Sequence, residues 1–469
     1  MSCAKEHRVP ETGAPPATSR TLPSRPARFD RSQRMAVRTT LRDSVKEGIA
    51  WSVMHGAGER YVAPFVILGG SGLLHLAAIT ALPTLAGALV QWLSAAVTDT
   101  FGHRKRLFAG AGVMQTLVWI PICAAIFLPV NSGYWLMLAA YILFVGGHQF
   151  SIPPWISTMG DLVPAGRRGR YFGQRNFLCG IVLISAFLGA GGWLTLCEKL
   201  GDPVWLGLSG RNLGFLMIFA TAGLARGVSA RYLIRMFEPE YRPHSDDRFS
   251  LWQFICRAPR GQYGRFVIYR ATLHGAGMVI GPYIAWYMLS ELGFSPLVFA
   301  CVCTANLLAM YGSQPLWGKV IDRYGSKRVL AIGGLASIVI PALLLLTSTP
   351  WGIAAVLVYD GIVFAALGIA GSNYTYDIVT PAKRARCTAY ASIFLGLAGI
   401  VGTFAGALIM LGVPKLVPLP WAIGGFTVQH PFTVILIVSM VLRILPNALW
   451  LQTFHECRLP TSTRHRIAA

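Results

Sequence analysis

His55-Gly56-Ala57-Gly58 and His274-Gly275-Ala276-Gly277 are the same four residues, each inside a hydrophobic segment and half a chain apart. The offset is 219 residues, and Pro64 and Pro282 follow at almost the same spacing. Self-similarity at a fixed offset marks a chain assembled from like pieces. Two copies of one hydrophobic unit point to a transporter built by duplicating a membrane element.

Composition sets the class. Of 469 residues, 54% are hydrophobic and 13% charged, whereas a soluble domain carries about a quarter charged residues. The apolar runs 73–97, 107–128 and 329–346 approach or exceed the roughly 20 residues that cross a bilayer as a helix. Strand-like alternation is missing, so a β-barrel is not expected. Twelve spans are predicted, centred near Gly58, Gly87, Val118, Val145, Ser185, Gly223, Met278, Thr304, Ser337, Val363, Gly399 and Met440. The expected fold class is an all-α integral membrane protein, with twelve transmembrane helices in two pseudo-symmetric six-helix bundles. The expected domains are a disordered basic cytoplasmic tail (1–44), an N-terminal bundle (45–237), a cytoplasmic connection with an interfacial helix (238–265), a C-terminal bundle (266–455) and a cytoplasmic tail (456–469).

Lys and Arg gather in alternate connections, at Arg104–Arg106, Arg167–Arg175, Arg242–Arg265, Lys319–Arg328 and Lys383–Arg386. The intervening connections hold little beyond Lys199, Arg211 and Lys415. Positive charge stays on the cytoplasmic side, so both termini are expected there, in a cell inner (cytoplasmic) membrane. The same asymmetry and the basic tail account for most of the net charge of +22, and no nucleic-acid partner is needed. No secretory signal pattern opens the chain. The nine cysteines lack paired spacing, so neither a disulfide framework nor a metal site is expected.

Two loops repeat a second pattern. One reads Gly318-Lys319-Val320-Ile321-Asp322-Arg323-Tyr324-Gly325-Ser326-Lys327-Arg328, the other Ala95-Ala96-Val97-Thr98-Asp99-Thr100-Phe101-Gly102-His103-Arg104-Lys105. Both keep Asp, then Gly three later, then basic residues. This resembles the signature loop of the major facilitator superfamily, nearly complete at Asp322 and degraded at Asp99, where Ala95 and Thr100 replace Gly and Arg. A third repeat pairs Asp161 and Arg168 with Asp377 and Arg384. The resemblance implies that Asp99, Gly102, Arg104, Asp161, Arg168, Gly318, Asp322, Arg323, Gly325, Asp377 and Arg384 belong to gating loops that latch one arrangement of the bundles. Glycine permits the sharp turn, and charges near helix ends supply the latch.

Substrate chemistry must come from polar groups inside the spans, where a charge costs about 2.5 to 3.5 kcal/mol and faces a cavity or a partner. His55 and Glu59 lie four apart on one helix face, with Arg60 beside them; Arg270 and His274 repeat that spacing in span seven. By the repeat these two stripes should face each other at the interface of the bundles. In the superfamily spans one, four, seven and ten line the cavity, which adds His148, Gln149, Trp155, Asp360, Asn373 and Tyr374. A lone intramembrane His can equally bond a backbone carbonyl, whereas a mid-depth carboxylate is hard to explain structurally.

The resulting expectation is a symporter-type permease for a small polar or anionic organic solute, working by alternating access. Glu59 would carry the coupling proton, and Arg60 or Arg270 would contact the solute. Span five has Gly180, Gly189, Gly191 and Gly192 without the Pro common in superfamily antiporters, which favours uptake over drug export. An exporter of drugs or lipids and a non-transporting assembly factor or sensor are the alternatives. Enzyme activity, cofactors and metal are not expected, and a monomer in the lipid bilayer is.

Overall fold

Asp30 starts the first helix. Its Oδ1 accepts the backbone N–H of Gln33 at 2.7 Å, while Gln33 Oε1 accepts the N–H of Asp30 at 3.1 Å, a reciprocal cap that satisfies two orphan donors. The bond from Gln33 N and that from Ser32 hold the Asp30 carboxyl below its usual range. Helix α1 therefore runs Arg31–Ala57, and the expected tail is shorter than 44 residues. Its first turns are polar yet packed: Thr40, Asp43, Ser44 and Glu47 are buried, and Thr40 Oγ1 accepts Phe237 N at 2.7 Å.

The computed structural model describes residues 30–164, 167–201, 208–239, 250–416, 421–423, 426–428 and 430–456. After α1 come α2 (Val62–Leu68), α3 (Leu73–Phe101), α4 (Arg104–Ala124), α5 (Val130–Leu162), α6 (Arg168–Lys199) and α7 (Gly210–Arg235). The short α8 (Leu251–Arg257) precedes the second half: α9 (Gln262–Met278), α10 (Gly281–Trp286), α11 (Pro296–Tyr324), α12 (Ser326–Leu345), α13 (Pro350–Ile378), α14 (Pro381–Leu416) and α15 (Pro431–Leu449). A small antiparallel hairpin, β1 (Trp421–Ile423) with β2 (Phe426–Val428), joins the last two helices and is the one departure from an all-helical reading among the described residues.

Among those residues ten helices are long and apolar enough to cross a bilayer. The two remaining crossings are the broken pairs α1–α2 and α9–α10. Both break at the end of the repeated tetrapeptide: α1 ends at Ala57 and a 3-10 turn spans Glu59–Tyr61, while α9 ends at Met278, one residue past Gly277. Twelve spans in two pseudo-repeats result.

The tetrapeptide's glycines explain the repeat as packing. A Cβ on Gly56 would strike the carbonyl oxygen of Leu183 on α6, and one on Gly58 would lie 2.6 Å from Trp119 and against Ala222 of α7. In the second half a Cβ on Gly275 would come 2.8 Å from the carbonyl oxygen of Ala398 on α14, while Gly277 faces Arg443 of α15. Each glycine thus lets spans one and seven press on the fifth and sixth spans of their own bundle. Gly402 approaches from the other side, where a Cβ would strike the Gly275 carbonyl oxygen and lie 2.9 Å from its carbon. Gly402→Ala is expected to cost about 1–3 kcal/mol, as overpacking does. Gly110→Ala, with nothing within 4 Å of the new carbon, is the control, expected to change stability by no more than about 1 kcal/mol. Equal thermal unfolding of the two variants would refute this packing role.

The bundles meet along two seams. Along α3 and α14, Gly396 sits against Leu85 and Ala88. Along α6 and α11, contact lies at the end remote from the chain termini: Phe187 meets Phe299 with ring centres 6.2 Å apart, and Leu297 N donates to Thr195 Oγ1 at 3.0 Å. Gly191 makes room there for Ala300 and the Tyr61 hydroxyl. Nearer the termini no described residue in 170–182 of α6 or 308–320 of α11 is buried. This seam is closed at the far end and parts toward the termini.

Candidate functional site

Glu59 sits in the 3-10 turn that follows α1, where the chain leaves the helical path. One turn back, His55 Nδ1 lies 2.6 Å from Glu59 Oε2, with both side chains about one-fifth exposed. One turn further back the Trp51 indole stacks on the His55 ring at 4.7 Å and on the His148 ring of α5 at 5.5 Å. Arg60 turns away from this stack: its guanidinium lies 5.6 Å from the centre of the Phe187 ring, and its Nε is buried without a hydrogen-bond partner. Arg60 also interacts electrostatically with Cys303 of α11, so it stands at the bundle interface. A proton-accepting pair, an aromatic stack and a cation are thereby gathered at the break in span one.

The stripe continues to Glu47. This carboxylate, 8% exposed, accepts Arg175 Nη2 of α6 at 2.8 Å and Ser229 Oγ of α7 at 3.1 Å. Ser229 Oγ also accepts from the buried Arg226, which donates to Gln115 Oε1 of α4, and Gln115 Nε2 donates to the Phe144 carbonyl of α5 at 2.9 Å. One polar chain therefore ties five helices of the first bundle. In the second bundle the counterpart cation is Arg443 on α15, donating to the Ser337 carbonyl at 2.6 Å and to Ser439 Oγ at 3.3 Å. Asp360 interacts electrostatically with Arg443 and accepts Asn306 Nδ2 at 3.0 Å.

Arg270 and His274 share a face of α9, but no described hydrogen bond or ring contact joins them to His55 and Glu59. The Arg270 guanidinium lies over Phe266 at 5.8 Å and against Gly371 of α13, where a Cβ would come within 3.1 Å of Cζ. His274 packs on Gly399 of α14. The two stripes thus stay in their own bundles instead of meeting directly.

Four other expected contacts have different surroundings. Tyr374 is fully buried, packs on Phe266 and Phe454, and donates to the His455 carbonyl at 2.8 Å; this is a core bond at the termini end, away from Glu59. Trp155 lies under the Arg175 guanidinium at 4.8 Å, in the Glu47 network. Gln149 packs on Gly87 of α3, and Asn373 is half-buried on α13.

At the termini end, Arg104 is fully buried and donates to Asp161 Oδ2 at 2.6 Å, to Ser157 Oγ at 2.9 Å and to the Pro239 carbonyl at 3.3 Å. It binds the start of span three to the end of span four. Turns fall at Gly102 (φ 65°) and Gly325 (φ 91°), both left-handed conformations that favour glycine. Gly318, expected in a gating loop, instead lies inside α11. Arg384 folds back on the Val379 and Tyr376 carbonyls, and Arg323 lies over Tyr324, whereas Asp322 and Asp377 are exposed. The side chains of Asp99 and Arg168 lie outside the described residues.

The carboxylate at the start of α12 is one that sequence reasoning missed. Glu456 Oε2 accepts the Lys327 backbone N–H at 2.7 Å, and a Cβ on Gly325 would strike it. Glu238, at an offset of 218 residues, approaches Arg104 Nε at 4.0 Å in the first half. Glu456→Ala is expected to cost about 1 kcal/mol as a lost helix cap, lowering the melting temperature by on the order of 2 °C. Glu456→Gln, which keeps an acceptor, should lose less; an unchanged melting temperature for the Ala variant would count against the cap. Trp51 and Glu47 were also missed, although both continue the four-residue spacing of His55 and Glu59 backward along α1.

Comparison with known proteins agrees with this architecture. The family model described as Major Facilitator Superfamily matches residues 267–456. A chloramphenicol resistance protein of Pseudomonas aeruginosa is 22% identical over 422 residues, covering 85% of this chain and 93% of that protein. A bacterial homologue of the iron transporter ferroportin, in an inward-facing state, shares the fold with a TM-score of 0.63 and 12% identity over 89% of this chain and 98% of that one. The xylose transporter XylE from E. coli, inward open, does so with a TM-score of 0.59 and 14% identity over 87% and 95%. Residues 267–456 thus match the Major Facilitator Superfamily model, and nearly the whole chain shares the fold of these membrane transporters.

Proposed function

We propose that the protein moves a small polar or anionic organic solute across the cytoplasmic membrane by alternating access, coupled to protons through Glu59. The observation that carries this reading is the Glu59–His55 pair at 2.6 Å, set at the break of span one beside Trp51, His148 and Arg60. A carboxylate bonded to an imidazole can exchange a proton there, and alternation of its charge with solute occupancy links the two fluxes. The basic connections lie at the termini end, which supports a cytoplasmic position for both termini. With that orientation, the far-end seal through Phe187, Phe299, Thr195 and Leu297 corresponds to an inward-facing state. Every group in this reading comes from one chain, so a monomer suffices.

The test uses purified protein reconstituted in liposomes that contain a pH-sensitive dye. Sugars, organic acids, amino acids, nucleosides and cationic drugs are added in turn, and melting shifts are measured in parallel at two pH values, since a ligand of the folded state raises stability. A solute that both stabilises the protein and moves protons across the liposome supports the reading. Solute flux without proton movement would remove the coupling. The resemblance to a chloramphenicol resistance protein over 85% of the chain favours drug export as the second reading, which predicts proton entry opposite to drug movement.

A further inference from the structure

We propose that the transported solute carries an acidic group and that Arg270 is the cation on which this group docks. The inference rests on the transporter reading and narrows its substrate class. Other buried arginines among the described residues have a carboxylate nearby: Arg175 and Arg226 share the Glu47 network, Arg104 has Asp161, Arg443 interacts with Asp360, and Arg60, though it makes no described hydrogen bond, interacts electrostatically with Glu59. Arg270 makes neither hydrogen bond nor ion pair with any described residue. Its described contacts are the Phe266 ring, at 5.8 Å from the guanidinium, and the bare Cα face of Gly371. An uncompensated guanidinium inside a membrane bundle is costly and normally acquires a partner. No carboxylate among the described residues supplies one, and the neighbours that interact with it electrostatically are His274 and Tyr263, so the missing charge is assigned to the solute.

The placement suits docking. A Cβ on Gly371 would come within 3.1 to 3.2 Å of Cζ, Nε and Nη1 of Arg270, so glycine at this point of α13 leaves the planar fork free to offer paired donors to a carboxylate or phosphate. By the repeat offset of 219, Arg270 corresponds to Trp51 and Arg60 to Val279; the duplication itself does not account for either cation. The two stand nine residues apart in repeat position, about 13 Å along the helix axis. Arg270 is nearer the termini, on the side where the α6–α11 seam parts, and Arg60 is nearer the sealed end. An acid entering from the open side meets Arg270 first and has a second cation deeper in.

The experiment compares matched pairs on purified protein: glucuronate with glucose, benzoate with benzamide, and glycerol 3-phosphate with glycerol. At least one acid should raise the melting temperature while its neutral partner does not. Arg270→Gln should abolish that shift, Arg270→Lys should retain part of it, and Gly371→Ala should weaken the acid's affinity at least tenfold. Each variant's ligand-free melting temperature separates lost binding from lost folding, and the charge-retaining Lys variant serves as the check if the Gln variant unfolds. Neutral solutes that bind as well as their acids, acids that produce no shift, or a shift that survives Arg270→Gln would overturn the assignment. Flux separates the two levels: proton-coupled movement of a neutral solute independent of Arg270 sinks this inference and leaves the transporter reading standing. Arg270-dependent acid binding without flux supports the docking site and sinks that reading.

Discussion

Glu59→Gln liposomes are expected to show no uphill accumulation of solute while still exchanging labelled for unlabelled solute. Glutamine retains the size of the side chain and an acceptor for His55, but it cannot alternate between charged and neutral forms. If one proton accompanies each solute, a pH gradient of one unit supports about tenfold accumulation, equivalent to about 1.4 kcal/mol. The variant should settle at an inside-to-outside ratio near unity under the same gradient. Exchange needs only the loaded carrier to reorient, so its persistence would show that the lesion lies in coupling and not in folding. Accumulation equal to that of the unaltered protein would mean that the proton is carried elsewhere, with Asp360 the next carboxylate to examine.

Removing Glu47 is expected to produce the largest loss of stability. This carboxylate receives Arg175 at 2.8 Å and Ser229 at 3.1 Å, and Ser229 connects it to Arg226. Glu47→Ala removes the carboxylate that Arg175 bonds and that Ser229 links to Arg226, and breaking a buried ion pair in this way costs about 3–5 kcal/mol. Replacing both partners differs from replacing one, because the orphaned charge is the expensive product. The double variant Glu47→Gln with Arg175→Gln should therefore recover part of the loss, as read from thermal unfolding in detergent. A single variant that melts with the unaltered protein would show the network to be dispensable. Trp155, which stacks under Arg175 at 4.8 Å, offers a fluorescence signal for the same site.

The sequence carried the architecture because the bilayer imposes a coarse rule. A helix that must cross hydrocarbon needs a long apolar run, and basic residues collect on one side. Those patterns survive without any knowledge of neighbours, as does a duplication offset of 219 residues. The boundary of α1 was less legible: its first turns are polar, and their helical state depends on the Asp30 cap and on burial of Thr40 and Glu47 against the rest of the bundle.

The site was legible where partners lie on one helix. His55 and Glu59 are four residues apart, and their bond at 2.6 Å follows from helical geometry alone. Trp51 belonged to the same count but was passed over, since its role depends on His148 arriving from α5. Tyr374 illustrates the opposite case. Its position on span ten suited a cavity wall, but the Phe266 and Phe454 rings close around it and the His455 carbonyl takes its hydroxyl.

By itself, the sequence determined the membrane class, the twelve crossings, the two-fold repeat and the Glu59–His55 pair. Only the tertiary structure decided that the repeated glycines are contact points for neighbouring helices, that Glu47 gathers Arg175 and Arg226, and that Arg270 stands against Gly371. The physical reason is range. Hydropathy and helical spacing act within a segment, whereas close helix packing and ion pairing join residues more than a hundred positions apart, and their partners are chosen by how the spans lie beside one another.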